Sequence, residues 1–181
     1  IKQCLVGSEM CIRDRVSAAA AVVLGVGASQ GYTAWKHSQA ETSANIYSQA
    51  IASGDAVTML EASLGDLTDG YALLGRFRIA AGKAGEGDAT AAEGIYLEIA
   101  GDSAVATIYR DAATLLSVMN APESSNPSDL QSRLAPLAEG SGPWRPLALE
   151  LSAALDLKAG DRAAASTKLQ EIIELEGAPP E

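Results

Sequence analysis

Three Gly-Asp pairs punctuate this chain: Gly54-Asp55, Gly87-Asp88 and Gly160-Asp161. The first interval is 87 − 54 = 33 residues. The second is 160 − 87 = 73, close to two repeats with the middle marker lost. Glycine adopts the left-handed conformation that follows a helix C-terminus without steric cost. Aspartate accepts hydrogen bonds from the free amides of the next helix N-terminus. A recurring Gly-Asp pair therefore predicts tight turns between helices, and a period in the mid-thirties predicts stacked helical pairs of the tetratricopeptide-repeat (TPR) kind.

Between the markers, apolar residues recur at helical spacing. A first helix spans about Ser38–Ser53 with Ser43, Tyr47, Ala50 and Ile51 on one side. Its partner carries Val57, Leu60, Leu64 and Leu67. A second pair carries Tyr71, Leu74, Phe77 and Ala81, then Ala92, Ile95, Tyr96 and Ile99. A third opens near Asp102 with Val105, Ile108, Ala112, Leu115 and Met119. The proline-bearing loop Asn120–Ser128 breaks it before Leu130, Leu134 and Leu137. The last pair carries Trp144, Leu147, Leu151 and Leu155, then Ala165, Leu169, Ile172 and Ile173. No segment alternates as a strand would. The expectation is an all-α chain: a TPR-like right-handed solenoid of about four helical hairpins over residues 36–176, then a frayed tail at 177–181. An irregular helical bundle is the alternative. The match to a strict TPR is degenerate. Ala92 and Ala165 hold the small position five residues past the turn glycine, but the first unit has Met59 there.

Composition supports helices. Apolar residues make up 48% of the 181, yet aromatics only 4%, whereas a sheet would want more β-branched and aromatic residues. The net charge of −10 repels phosphate and argues against nucleic acid and against broad adhesion to anionic lipid. Cys4 and Cys11 are the only cysteines and His37 the only histidine. They supply neither a metal cluster nor a disulfide framework.

The N-terminal region divides in two. Residues 1–15 lack helical periodicity, and Gly7–Arg15 resembles a translated sequencing adapter, which is non-native. The alternative is a short cytoplasmic tail made basic by Lys2, Arg13 and Arg15. On the adapter reading the true N-terminus lies elsewhere. Val16–Trp35 has no charged residue across 20 positions. At 1.5 Å per residue it reaches about 30 Å, the thickness of a hydrocarbon core. Tyr32 and Trp35 sit at its far end, where an aromatic belt belongs, and Lys36 and His37 follow. We read it as a single transmembrane helix. A cleaved signal peptide ending at Val26-Gly27-Ala28 is the alternative, and either reading exports the residues after about 36. Gly27 and Gly31 form a small-xxx-small pair that suits helix packing.

Candidate chemistry is sparse. Gly82–Gly87 (GKAGEG) has a phosphate-loop look, but Ala84 replaces the required Ser or Thr and a helix precedes it. Gly25-Val26-Gly27 has a dinucleotide-like look but lies in the apolar segment. Glu171, Glu174 and Glu176 read as a solvated helix face with Lys168 nearby. Acid–base chemistry by these carboxylates would need a pocket and a raised pKa. We read the chain as non-enzymatic, with no cofactor, metal or small-molecule substrate. In TPR-type arrays the first helix of each pair lines the concave face, which singles out Arg76, Arg78, Arg110, Trp144, Arg145 and Glu150 as candidate partner-binding residues. Arg and Trp are enriched at binding hot spots.

One resemblance goes further. An anchor ending in Gly31-Tyr32-Thr33-Ala34-Trp35 leads into a tyrosine-bearing helix. Gly70-Tyr71-Ala72-Leu73-Leu74-Gly75-Arg76-Phe77 follows. Then come Gly142-Pro143-Trp144-Arg145-Pro146-Leu147-Ala148-Leu149-Glu150-Leu151 and Lys158-Ala159-Gly160-Asp161. Over about residues 16–176 this resembles the membrane-anchored TPR-like proteins of Gram-negative bacteria related to the ancillary SecYEG translocon subunit. The Pro-Trp-Arg segment is its most specific element. The resemblance implies a single-pass inner-membrane anchor with a periplasmic TPR-like domain. It also implies association with the Sec translocon and a periplasmic chaperone, in the service of exported client proteins. It brings no catalytic residues. The rival is a periplasmic TPR scaffold for another envelope machine, such as cell division or outer-membrane assembly.

Overall fold

The turns are built as their chemistry requires. At Gly87 and Gly160 the backbone is left-handed, with φ of 87° and 85°. Asp88 N–H donates to Lys83 O and Gly87 N–H to Ala84 O. Asp161 N–H likewise donates to Asp156 O and Gly160 N–H to Leu157 O. This paired closure is the Schellman arrangement. The same aspartates then cap the next helix, Asp88 Oδ1 accepting from Ala91 N–H and Asp161 Oδ1 from Ala164 N–H, each at 3.0 Å. Asp55 caps in the same way, from Thr58 N–H at 3.2 Å, but Gly54 lies outside the left-handed region. Where the marker is lost, Asn126 Oδ1 accepts from Ser128 N–H at 2.9 Å, with Pro127 opening the helix. The caps at 55, 88, 126 and 161 are thus separated by 33, 38 and 35 residues.

The structure, a computed structural model, describes residues 5–176, with side chains from 17 to 175. The expected frayed tail and both cysteine side chains lie outside the described residues. The described chain is all-helical, with no strand. Its α-helices are α1 (Leu5–Ala52), α2 (Ala56–Ser63), α3 (Asp69–Gly85), α4 (Ala89–Gly101), α5 (Thr107–Met119), α6 (Pro127–Glu139), α7 (Arg145–Ala159) and α8 (Arg162–Glu176). Three boundaries differ from the sequence expectation, one being α7, which starts at Arg145 with Trp144 just before it. Leu64–Asp66 tightens into a 3₁₀ turn, so Leu64 and Leu67 both fall outside α2. Asp102–Ala106 is a loop closed by Asp102 Oδ1 on Ala104 N–H, so Val105 falls outside α5.

Each helix packs mainly on its neighbours in sequence. Three apolar clusters follow one another along the chain. Ala50, Leu60 and Ile79 join α1, α2 and α3. Ala80, Ala92, Tyr96, Ile99 and Ala113 join α3, α4 and α5. Leu115, Val118, Leu130, Leu134 and Ala148 join α5, α6 and α7. The starts of α3 and α7 touch the helix two before them in the chain. Thr68 N–H, just before α3, donates to the buried Ser43 Oγ of α1 at 2.9 Å, and the Tyr47 and Tyr71 rings lie 5.9 Å apart. Trp144 Nε1–H, just before α7, donates to Ile108 O of α5 at 3.1 Å. The starts of α3, α5 and α7 therefore share one edge of the domain, and the Gly-Asp turns share the opposite edge.

The helical phase departs from the sequence expectation in α3 and α5. Leu74, Ala81, Ile108 and Met119 are exposed, while Gly75, Ile79, Ala80, Ala113 and Val118 face inward. Small residues explain the shift in α3. A Cβ on Gly75 would sit 3.0 Å from Leu64 Cδ2, and one on Gly82 would collide with Val57. Close approach of α2 and the 3₁₀ turn at these glycines turns Leu74 outward.

Residues 17–39 of α1 are exposed throughout, and packing begins at Ala40. The helix runs unbroken through this stretch, as its pattern predicts. The membrane-span expectation for residues 16–35 needs a correction: among the described residues no helix is long and apolar enough to cross a membrane. Ala, Gly, Ser, Gln and Thr dilute its few large apolar residues, so freedom from charge overstates its apolarity.

Candidate protein-binding groove

Starting within the first turn of α3, Tyr71, Leu74 and Phe77 follow helical spacing and face the first turn of α5, where Tyr109 stands. The two helices leave a groove between them. It is made of two hollows of about 340 and 370 Å³ that share Gly70, Leu73 and Tyr109. Leu74 is 47% exposed, Tyr109 50% and Ile108, beside it, 42%. Isolated exposed apolar residues are ordinary, but grouped around a concavity they mark a contact surface. A further hollow of about 620 Å³ adjoins the groove through Thr68, Asp69 and Gly70. Its other wall is α1, from Thr33 to Ala40 and including Trp35.

One end of the groove carries charge. Arg76 Nη1 donates to Asp102 Oδ2 at 3.1 Å, tying α3 to the loop before α5. The Ala104 N–H and then the Arg76 guanidinium hold the Asp102 carboxyl below the usual carboxylate range. Elsewhere burial pushes the Tyr96 hydroxyl up, and the Glu61 carboxylate raises Lys83.

The six candidate partner-binding residues separate into different settings. Arg76 lines the groove but is occupied by Asp102. Arg110 donates from Nη2 to Thr107 Oγ1 at 3.0 Å, and its buried Nε–H has no partner. Trp144 packs against the Leu115–Ala148 cluster and braces α7 to α5. Arg145 donates from Nε to Ala138 O at 3.0 Å and pairs with Glu171, so it ties α6, α7 and α8 together. Arg78 and Glu150 are exposed, with no ion pair among the described residues.

A separate hollow, of about 600 Å³, lies among α6, α7 and α8. Most of its charges are matched within the fold, Arg145 with Glu171 and Lys168 with Asp156, and Gln131 Nε2 also reaches Asp156 at 2.7 Å; Glu139 lines it without an ion pair among the described residues. It is a seam braced by these pairs and lacks exposed aromatic lining, so the α3–α5 groove is the better candidate. Glu174 is exposed on α8 and His37 on α1, and Glu176 lies outside the described side chains. In the phosphate-loop-like stretch, Gly82 serves packing and Gly87 a turn. Among the described residues no three His, Cys, Asp or Glu side chains converge as a metal site would require.

Sequence reasoning missed Leu74 and Ile108 as surface residues because both lie on the apolar phase of their helices. It missed Tyr109 and Asp102 for lack of a local signal; only the approach of α5 to α3 gives them a role. No family model, curated protein or solved structure matches this chain.

Proposed function

We propose that this chain is a non-enzymatic protein-binding module of TPR-like solenoid type. On this reading it holds partner polypeptide in the bacterial periplasm along the α3–α5 groove. The observation that carries the reading is the exposed apolar and aromatic lining of that groove: Leu74, Tyr109 and the flanking Ile108 beside Tyr71 and Phe77. Aromatic anchors in a concavity are the usual source of binding energy at protein interfaces. The in-series packing of helix pairs and the cap spacing of 33, 38 and 35 residues support the solenoid.

The sequence resemblance supplies the partner: the Sec translocon with a periplasmic chaperone, acting on newly exported proteins. Affinity purification of the full chain from detergent-solubilised membranes, read by mass spectrometry, tests it. Translocon components and a periplasmic chaperone should exceed their level on a tagged unrelated membrane protein. Recovery of division or outer-membrane-assembly proteins with no Sec component would remove this partner. The weak apolarity of α1 favours that second reading, in which the N-terminal segment is cleaved and the domain is a free periplasmic scaffold.

A further inference from the structure

Residues 17–39 of α1 are exposed throughout, and the stretch Val16–Trp35 holds no charged residue. Ala19, Val22, Val23 and Val26 fall at i, i+3, i+4 and i+7 on one of its faces, the spacing by which a helix seats its side chains in a groove. The three valines are each more than half exposed. Val26 stands 43 − 26 = 17 residues before Ser43, whose hydroxyl is tied to Thr68 at the start of α3. Along a helix that is about 26 Å. α1 runs unbroken from Leu5 to Ala52, so its outer half does not turn back into the groove of its own chain.

The groove suits that uncharged face. The charged and titratable side chains that line it and its mouth are Lys36, His37, Asp69, Arg76 and Asp102. Lys36 and Asp69 are opposite in sign at the mouth, and Arg76 and Asp102 are paired inside. With His37 neutral this lining carries no net charge, on a chain whose net charge is −10. Arg110 acts on Asp102 from outside the lining. A neutral groove walled by Leu73, Leu74, Phe77 and Tyr109 loses little hydration to an apolar helix and would lose more to a charged one.

From this geometry we infer that the α3–α5 groove of one copy takes the uncharged half of α1 from a second copy, and the reverse, in a two-fold dimer. The inference rests on the protein-binding reading of the groove and on a retained α1. The incoming helix crosses the hollow at Trp35 and sets its valine face against Leu74, Phe77 and Tyr109. Area favours the reciprocal arrangement. A helix face about 30 Å long and 10 Å wide, laid in one groove, buries about 600 Å² over both surfaces, which is the scale of a crystal contact. Exchange of both helices doubles it to about 1,200 Å², where stable interfaces begin. A two-fold contact of this kind is closed, so association stops at the dimer. The dimer and a partner-filled groove then exclude each other.

The test follows the full chain in detergent-free buffer by analytical ultracentrifugation over a concentration series. A monomer–dimer equilibrium is expected. Leu74→Lys in the groove, and Val22→Lys with Val26→Lys on α1, should each weaken it at least about tenfold. All three side chains are exposed, so the fold should survive. Leu157→Lys, at an equally exposed position on α7, should leave it unchanged. A photocrosslinking amino acid at Tyr109, in a mixture of isotopically heavy and light chains, should join heavy to light. The adduct should map to the tryptic peptide Val16–Lys36. A chain that stays monomeric, one that associates without limit, or a dimer unmoved by the groove and α1 variants would overturn the inference. Adducts that map to another peptide or stay within one chain would also overturn it. The protein-binding reading is judged separately, by whether Leu74→Lys depletes the proteins captured in the affinity purification. Depletion with a monomeric chain would keep that reading and discard the dimer, and no depletion would count against the groove as the partner site.

Discussion

Gly54, Gly87 and Gly160 occupy the same place in one recurring sequence motif, yet alanine should act on them in opposite directions. A Cβ at any of the three would meet nothing within 4 Å, so sterics with neighbours do not enter. The backbone decides. At Gly160, φ is 85°, and an L-residue there costs about 1–2 kcal/mol. Alanine also reduces the conformational freedom of the unfolded chain, which offsets about 0.4–1 kcal/mol of that. The net is a loss of about 1 kcal/mol, and Gly87, with φ of 87°, should behave alike. Gly54 has no left-handed strain, so only the unfolded-state term remains and Gly54→Ala should gain about 0.4–1 kcal/mol. The two variants should thus differ by about 1.5 kcal/mol, or about 3–6 °C in Tm for a domain of this size. Urea and thermal unfolding followed by far-UV circular dichroism read the difference. Stacked helical pairs open in local units, so amide exchange in α8 gives a second reading for Gly160→Ala. Equal destabilisation by Gly54→Ala and Gly160→Ala would refute the assignment of these turns.

Three further outcomes follow from the packing. Leu134 is fully buried where α6 meets α5 and α7, and Leu134→Ala should cost about 2–5 kcal/mol in denaturant unfolding. Trp144→Phe removes the bond to Ile108 O and should cost about 1 kcal/mol; unchanged stability would show that the indole N–H does not brace α7 to α5. Asp102 has a folded pKa below its unfolded value. Its contribution is therefore present above the unfolded pKa and lost as pH falls through the folded one. Asp102→Asn should lower stability at neutral pH and flatten the acid limb below about pH 4, as thermal unfolding across a pH series would show.

Much of the helical framework was legible in the residues. Gly-Asp pairs act through their own backbone and the adjacent amides, so Asp88 and Asp161 announce a turn and a cap wherever they stand. The Asn126–Pro127 start was harder to see as the missing marker, because a different residue pair does the same job there. The apolar period located the helices but misjudged the outward turn of Leu74 and Ile108. Phase is set by how closely a neighbour approaches, and Gly75 and Gly82 allow an approach that a count of apolar residues does not register. Trp144 and Arg145 resembled binding residues in sequence, and folding engages both in internal bonds.

The chain's own residues determine its helices, most of its turns and its acidity, because those depend on interactions within a few positions along the backbone or on composition alone. The tertiary structure alone decides the groove between α3 and α5 and its closeness to the exposed length of α1. Those features join Leu74, Asp102 and Tyr109 with residues as distant as Trp35, and the packing of intervening helices brings them together.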